Sequence, residues 1–436
     1  MSGSLVADLG LGPQTWLFVT FLSCVALFFK FHRIWSIRNL DLMLLFAPAP
    51  GLLALVGAGS AHSRFAFVWL LGGTTLILLR CIVDLGLTRR PLLEPNLNAA
   101  GLICLMTGVL GLLLAETIQL PRQMGMARNP ADPGEKADPQ GLSRRSTKTT
   151  SDLPARVLKA APLPPSLRRS TPQVILSRVL AMTAHLALIA GLIVICRRHF
   201  ERPIAGLACA ACYMILPYTR IAIVDSGQLI SSALIVGAFV FYQRPIVVGL
   251  LLGLAGGWIP ACLGLLPLWA RFYWNRGIRA FLIVSLSVVF GCVAISRIIP
   301  DIAIWARALG ARNLTEAGLR ITLGTVELHQ IVGSPSGSFW TEIDPSYRLP
   351  VLIAYVAFVV LTLFLPARKE LGEMIALSAS LLIASQFWYL DAGGTLLMLY
   401  LPLVLLIVFR PHLIPKRPIP IASRTQSNKL VLAETR

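Results

Sequence analysis

Charged side chains are scarce in this chain, and acidic ones are fewer than basic ones. Only 14% of its 436 residues are Asp, Glu, Lys or Arg, with 20 acidic side chains in all, whereas 56% are hydrophobic. A water-soluble fold needs a charged exterior and cannot hide that much apolar surface. The composition therefore excludes a cytosolic enzyme, a disordered protein and a secreted disulfide scaffold. It predicts a polytopic membrane protein.

Several signatures of soluble chemistry are missing as well. The eight cysteines lie inside apolar stretches, and none has the spacing and His neighbours of a zinc site. No glycine-rich phosphate loop is present. Gly249, Gly253 and Gly257 recur every four residues, which is a helix-packing pattern and not the spacing of a phosphate-binding loop. Basic residues outnumber acidic ones 39 to 20, but the excess lies in loops. We therefore expect membrane lipid rather than nucleic acid as a partner, and no cofactor, with a divalent metal left open.

The apolar stretches predict an all-α bundle of about 11–13 membrane segments, since a spanning helix needs about 20 apolar residues. The stretch 246–271 is ambiguous: it is either one long kinked helix or a hairpin that turns near Pro260. The clear candidates are 15–30, 42–58, 65–86, 99–119, 175–196, 203–218, 227–243, 280–298, 349–366, 372–389 and 393–409.

Basic loops orient this bundle, because short cytoplasmic loops collect Lys and Arg. With the basic clusters inside, the N-terminus is outside and the C-terminus is cytoplasmic. The number of membrane segments agrees with this orientation only if the ambiguous stretch is a hairpin. Glu116, Asp225 and Asp391 then reach the outer face, whereas Asp41 and Asp84 reach the inner face. The lack of targeting signals predicts a bacterial inner (plasma) membrane. The clusters are 30–38, 89–90, 197–198, Arg244, 271–279, 368–369 and the C-terminal tail.

Two long loops divide the chain. The first is basic and rich in Pro, Ser and Thr, which predicts disorder. Its outer placement conflicts with the charge rule, which long loops obey poorly; if the loop is cytoplasmic instead, one of the first four segments does not span. In the second, Ile302, Trp305 and Leu309 share one helical face, as in a helix lying on the membrane. The predicted parts are N-terminal segments 1–119, basic loop 120–174, membrane core 175–298, outer loop 299–348, C-terminal segments 349–409 and basic tail 410–436.

Carboxylates in or beside spanning helices are functional candidates, because a charge in lipid is costly. Glu116 ends the fourth segment and Asp225 lies between two segments, and for both a functional and a structural role remain equally open. Asp391 precedes two glycines, which favours a turn or helix cap over catalysis.

Other ionisable residues have simpler explanations. Asp41 either pairs with Arg38 at i,i+3 or starts a helix, where carboxylates are favoured, and Asp84 is spaced to pair with Arg80 at i,i+4, so we expect structural roles for both. His185 stands alone in its segment and is expected to make a polar contact between helices rather than to bind a ligand.

Three stretches in the middle of the chain carry a family likeness. The first has a basic turn, a small-residue helix and a closing Leu-Pro; the second is a Gly-Gln step before an aliphatic helix; the third has Arg-Pro, a Leu- and Gly-rich run, Leu-Leu-Pro and a basic end. Together they resemble the GT-C type membrane glycosyltransferases, and most closely the bacterial polyprenyl-phosphate-sugar mannosyltransferases of family 87. The stretches are Arg197 to Pro217, Gly227-Gln228, and Arg244 to Arg279.

The resemblance implies a GT-C-like bundle that transfers a sugar from a polyprenyl-phosphate donor to an acceptor at the outer membrane face. In such a transfer a carboxylate takes the acceptor proton, and cationic side chains hold the departing lipid phosphate. The predicted site residues are Glu116 as the base with Asp225 as second choice, Arg220, Arg297 and Arg348 for phosphate, and Gln228 and Asp391 for substrate contacts.

Two departures from the family pattern keep other interpretations open. Ile259 stands before Pro260 where such enzymes carry Lys, and no Asp-x-Asp or Asp-Asp pair occurs at a suitable place. A catalytically inactive membrane protein with the same fold is therefore one alternative. A transporter is another, but it would need polar residues along a path through the bilayer, and 280–296 and 349–366 carry no charge.

Overall fold

A computed structural model of the chain describes residues 13–57, 63–87, 93–119, 172–299, 302, 306, 309, 311, 347–366, 369–388 and 394–411. Within these ranges the protein is built of helices, with no strand, which confirms the predicted all-α class. The α-helices are α1 (Pro13–Phe28), α2 (Ile37–Phe46), α3 (Ala49–Gly57), α4 (Ser63–Asp84), α5 (Ala99–Gln119), α6 (Pro172–Arg198), α7 (Pro203–Ile215), α8 (Pro217–Ile221), α9 (Ser226–Val240), α10 (Pro245–Trp258), α11 (Leu265–Phe272), α12 (Ile278–Ile298), α13 (Arg348–Phe364), α14 (Leu371–Trp388) and α15 (Leu397–Phe409).

The helices coincide with the predicted apolar stretches to within a few residues, as expected for an integral membrane protein. Six helical stretches are long and apolar enough to cross a membrane, one of them formed by α2 and α3 together, and further apolar helices such as α9 and α10 are shorter. Nearly all of loop 120–174, most of 299–348 and residues 412–436 lie outside the described residues, as does the predicted interfacial helix apart from single positions. The six long ones are Ile37–Leu55, Phe65–Asp84, Ala99–Thr117, Val174–Arg198, Ile278–Ile298 and Leu371–Trp388.

Proline and capping residues set several helix starts. Pro203, Pro217 and Pro245 stand in the first turn of α7, α8 and α10, where a missing N–H costs no helical hydrogen bond. Ser36 caps α2 and Asp225 caps α9, each accepting a backbone N–H of the first turn. These local signals divide the long apolar stretches into the separate helices observed.

The ambiguous stretch forms the predicted hairpin. After α10 the chain makes a 3₁₀ turn at Pro260–Gly264, and α11 then runs back. The return is shown by Tyr273, directly after α11, whose hydroxyl donates to the carbonyl of Tyr242 just before α10. Gly277 likewise lies against Pro245, the first residue of α10.

A row of glycines lets α10 and α12 approach closely. A Cβ atom at Gly249 or Gly253 would lie 2.8 Å from a backbone oxygen of α12, and one at Gly257 would lie 2.8 Å from the sulfur of Cys292. Real Cβ atoms do not come this close, so only glycine fits. The four-residue spacing is therefore a packing motif, as the sequence indicates.

The helix bundle has two chemically different ends. Helices α9 and α15 begin side by side, where the Met398 N–H donates to the Gln228 side chain (3.2 Å). Helix α15 finishes at the opposite end, where Arg410 pairs with Asp84 at the end of α4 (2.9 Å). Helix α5 ends with Glu116 on the first side. We call these the Glu116 end and the Asp84 end.

Candidate functional site

The Glu116 end holds an ion pair between two residues that the sequence singles out. Glu116 is in the last turn of α5 and Arg220 is in the short helix α8, 104 positions later. Arg220 Nε donates to both carboxylate oxygens, at 2.7 and 2.9 Å. The two side chains are 30% and 27% exposed, so the pair is partly accessible rather than sealed in the core. It is a carboxylate and a guanidinium at the end of an apolar bundle.

Arg220 also packs against an aromatic ring and keeps unused donors. Its guanidinium carbon lies 4.5 Å from the ring centre of Trp16 in α1, within cation–π range. Arg220 bonds Glu116 only through Nε, and its two terminal nitrogens have no hydrogen-bond acceptor among the described residues. The Trp16 indole N–H also lacks an acceptor within that part of the chain. The arrangement can offer a guanidinium edge to an anion.

Asp225 and Gln228 are bonded to each other at the start of α9. One Asp225 oxygen accepts the Gln228 backbone N–H (3.2 Å), and the other accepts its side-chain amide (2.7 Å). The same amide donates to the carbonyl of Thr395 (3.4 Å), and its oxygen accepts from Met398. Asp225 therefore caps α9, and Gln228 joins α9 to α15. Both side chains are committed to contacts within the protein.

Two serines fasten the neighbouring helix starts. Ser226 donates to the carbonyl of Leu309 (2.6 Å), so Ser177 of α6 is the donor in its 3.2 Å contact with Ser226. Leu309 is buried inside the protein, whereas a residue on a membrane-facing side would be exposed at the protein surface. These contacts hold the part of the 299–348 loop near Leu309 against α6 and α9, next to Asp225.

Of the three remaining predicted site residues, only Arg297 has a described side chain. Arg297 is exposed in the last turn of α12. Arg348 begins α13, but its side chain is not described, and Asp391 lies outside the described residues. The structure thus brings together Glu116 with Arg220, and Asp225 with Gln228.

A small cavity lies behind this end, between α5, α6 and α7. It has room for about one water molecule and borders His185, Tyr213, Ile223 and Thr117, the neighbour of Glu116. His185 Nδ1 bonds the Tyr213 hydroxyl at 2.8 Å, while its Nε2 has no hydrogen bond in the described part of the chain. The predicted polar helix contact of His185 is confirmed.

The Asp84 end contains a charge cluster that sequence spacing reveals only in part. Arg80 pairs with Asp84 at 3.1 Å, as predicted, but its strongest contact is a bidentate ion pair with Asp41, at 2.5 and 2.8 Å. Asp84 in turn holds Arg410. The four side chains are between 0% and 16% exposed. We call Asp41, Arg80, Asp84 and Arg410 the buried charge chain.

The predicted pairing of Asp41 with Arg38 is wrong. Arg38 donates instead to the backbone carbonyls of Phe28 (2.9 Å) and Glu94. Carbonyls at the end of a helix lack intrahelical donors, and Phe28 ends α1, so the guanidinium is better placed there. Asp41 is left to face Arg80 across the bundle.

No group of three or more His, Cys, Asp or Glu side chains among the described residues is arranged to hold a metal ion. The two carboxylates at the Glu116 end are instead bonded to Arg220 and to the start of α9. Comparison with protein-family models, curated proteins and solved structures gives no match to this chain.

Proposed function

We propose that this protein is an integral membrane glycosyltransferase of GT-C-like fold that moves a sugar from a polyprenyl-phosphate-linked donor to an acceptor hydroxyl. The proposal includes a bacterial inner membrane, with the N-terminus and the Glu116 end outside and the C-terminus in the cytoplasm. The observation that supports it best is the partly exposed Glu116–Arg220 pair at one end of an apolar bundle. A base and a phosphate ligand are the two groups that such a transfer requires.

Glu116 and Arg220 have separate tasks in the proposed reaction. The acceptor oxygen forms a bond to the anomeric carbon of the sugar while the bond from that carbon to the phosphate oxygen breaks. The departing polyprenyl phosphate keeps the electron pair, and the acceptor proton passes to a Glu116 oxygen. The terminal nitrogens of Arg220 hold the leaving phosphate, and Trp16 keeps the guanidinium in place.

Asp225 enters this scheme as a positioning residue. Its two bonds to Gln228 fix the start of α9, which begins six residues after Arg220. Gln228, Arg297, Arg348 and Asp391 stay proposed contacts for the substrate.

The test is sugar transfer from polyprenyl-phosphate donors by the purified full chain in proteoliposomes. Because general-base catalysis contributes about 10²–10⁴-fold, we expect Glu116→Gln to lower kcat by that order with little change in folding. Arg220→Gln should lose activity too, and Asp225→Asn should lose much less. Glu94→Gln is the matched control, since Glu94 is an exposed carboxylate near the start of α5.

A catalytically inactive membrane protein of the same fold is the second candidate. It is favoured by the way Arg220 occupies both oxygens of Glu116 and Gln228 occupies both oxygens of Asp225. Folded wild-type protein without transfer from any polyprenyl-phosphate sugar tested would favour it. Equal activity of Glu116→Gln and wild type would remove Glu116 from the mechanism.

A further inference from the structure

Two turns at the Asp84 end are densely basic. The turn before α10 contains Arg244, and residues 271–279, from the end of α11 through the turn to the start of α12, contain Arg271, Arg276 and Arg279. Neither 241–245 nor 271–279 includes a carboxylate. All four arginines are exposed. Such a local excess of positive charge is attractive only to an anionic partner.

The fold brings these two turns into contact. Gly277 has a left-handed φ of 105°, and a Cβ atom there would lie 3.1 Å from the ring of Pro245. The Tyr273 hydroxyl donates to the carbonyl of Tyr242 from the other turn. Arg244 directly precedes Pro245, and Arg276 and Arg279 lie within two residues of Gly277. The three guanidiniums therefore start from neighbouring points of one surface.

Aromatic rings restrain part of this surface. The Arg276 guanidinium lies over the Phe272 ring at 5.7 Å, and Arg271 lies over Trp274 at 5.9 Å. Trp274 is itself 60% exposed, which is typical of an indole at the level of lipid headgroups. Two of the guanidinium groups therefore pack on aromatic rings of the kind found at the membrane–water boundary.

An apolar surface leads away from the same arginines. The glycines of α10 let it pack closely on α12, and both helices expose large apolar side chains beyond this seam. Only 11% of the α12 span is buried inside the protein, so this helix faces lipid. The exposed side chains are Ile246, Leu250 and Leu254 on α10, and Ile283, Leu286 and Phe290 on α12.

We propose that this surface is a binding site for an anionic phospholipid. The headgroup phosphate lies among Arg244, Arg276 and Arg279, whose forked guanidiniums suit phosphate oxygens, and the acyl chains lie along the α10–α12 seam. A soluble phosphate compound would satisfy the charges but leave the apolar seam without a partner. The site is at the opposite end of the bundle from Glu116, so the inference is independent of the proposed transferase activity.

The experiment measures lipid retained by the detergent-purified full chain, using native mass spectrometry. Wild-type protein is titrated with phosphatidylglycerol and, separately, with phosphatidylethanolamine, and we expect clear preference for the anionic lipid. The variant Arg244→Gln/Arg276→Gln/Arg279→Gln should bind phosphatidylglycerol about tenfold more weakly or worse, because each basic residue near a headgroup adds to the attraction. Its Tm in the absence of added lipid should match wild type, since the three side chains are exposed.

The matched control removes three charges from the same end of the bundle. Arg197→Gln/Arg198→Gln/Arg202→Gln changes exposed arginines at the end of α6 and just before α7, which belong neither to the α10–α12 seam nor to the two basic turns. We expect its phosphatidylglycerol affinity to stay within about twofold of wild type. Equal losses in both triple variants would show a diffuse surface potential and overturn the site. Equal retention of the two lipids, or displacement of phosphatidylglycerol by equimolar inorganic phosphate, would also overturn it.

Discussion

The two ends of the bundle use the same chemical groups in opposite ways. At the Glu116 end a single carboxylate–guanidinium pair is about 30% exposed, with terminal nitrogens of Arg220 left for a ligand. At the Asp84 end two carboxylates and two guanidiniums are almost completely buried and bonded to one another. Exposure, rather than residue type, separates a pair that a ligand can reach from a cluster that joins helices.

The difference follows from what each helix end faces. The α5 span that carries Glu116 is only 11% buried inside the protein, whereas the span with Arg80 and Asp84 is 39% buried and the span with Asp41 is 56% buried. A buried charge must be compensated fully, because its desolvation is costly and an unpaired partner is destabilising. The Asp84 end meets this demand with balanced charges, two of each sign, on α2, α4 and the end of α15.

The largest expected effect comes from breaking the buried charge chain at its centre. Asp84→Asn removes the charge shared by Arg80 and Arg410 and should lower the free energy of unfolding by about 3–5 kcal/mol. Glu116→Gln, the corresponding change at the exposed pair, should cost no more than about 1 kcal/mol. Both are measured as unfolding of the purified protein in one detergent.

A second variant checks that the loss is electrostatic. Asp84→Asn combined with Arg410→Gln should be more stable than Asp84→Asn alone, because the buried guanidinium that has lost its partner is then removed as well. If Asp84→Asn and Glu116→Gln destabilise the protein equally, the contrast between the two ends is not one of burial.

A smaller effect is expected from Gly372→Ala in α14. A methyl group at this position would overlap Nη1 of Arg410, whose side chain lies against the glycine and cannot move without leaving Asp84. We expect a loss of about 1–3 kcal/mol, as for overpacking in a core.

The matched control for this change is Gly111→Ala in α5. A Cβ atom at Gly111 has no neighbouring atom within 4 Å, so alanine should be neutral or stabilising by about 0.5–1 kcal/mol through helix propensity. Thermal unfolding of the two variants compares the Asp84 end directly with the lipid-facing helix. If Gly372→Ala leaves the stability unchanged, the position of Arg410 against Gly372 does not contribute to the stability of the protein.

The hydrophobic runs of the sequence predicted the helices, and the spacing of residues within a helix predicted some of the contacts. The hairpin at Pro260 followed from charge counting across loops, and Arg80–Asp84 followed from i,i+4 geometry on one helix. In the same way, the four-residue glycine spacing predicted a close helix contact, although not that α12 is the partner. These features depend on residues near one another in the chain.

Contacts across the bundle were beyond such reasoning. Glu116 and Arg220 were both named as site residues, but their mutual pairing joins positions 104 apart, and Arg410–Asp84 joins positions 326 apart. Only tertiary packing decides which apolar helix is adjacent to which. The wrong partner for Asp41 has the same origin, because spacing indicates the nearest cation and not the one across the bundle.

The smallest expected effect is a pH dependence at the Asp84 end. His199, just after α6, is half-buried, and this burial lowers its pKa below the usual 6.5; the Val240 carbonyl raises it and Arg198 lowers it further. Its ring packs edge-on against Tyr242 at 5.0 Å and faces the Val240 carbonyl at 3.3 Å. The imidazole is therefore more easily protonated in the unfolded chain.

The sign of the effect follows from this shift. Between the lowered pKa and 6.5 the unfolded state binds more protons, so stability present above pH 6.5 is lost as the pH falls through that window. His199→Phe keeps a ring against Tyr242 but cannot titrate. Between pH 7.5 and 5.5 the wild-type Tm should fall by about 1–2 °C more than that of His199→Phe. If Tm changes with pH equally in the two proteins, His199 stabilises the Asp84 end through the packing of its ring and not through its charge.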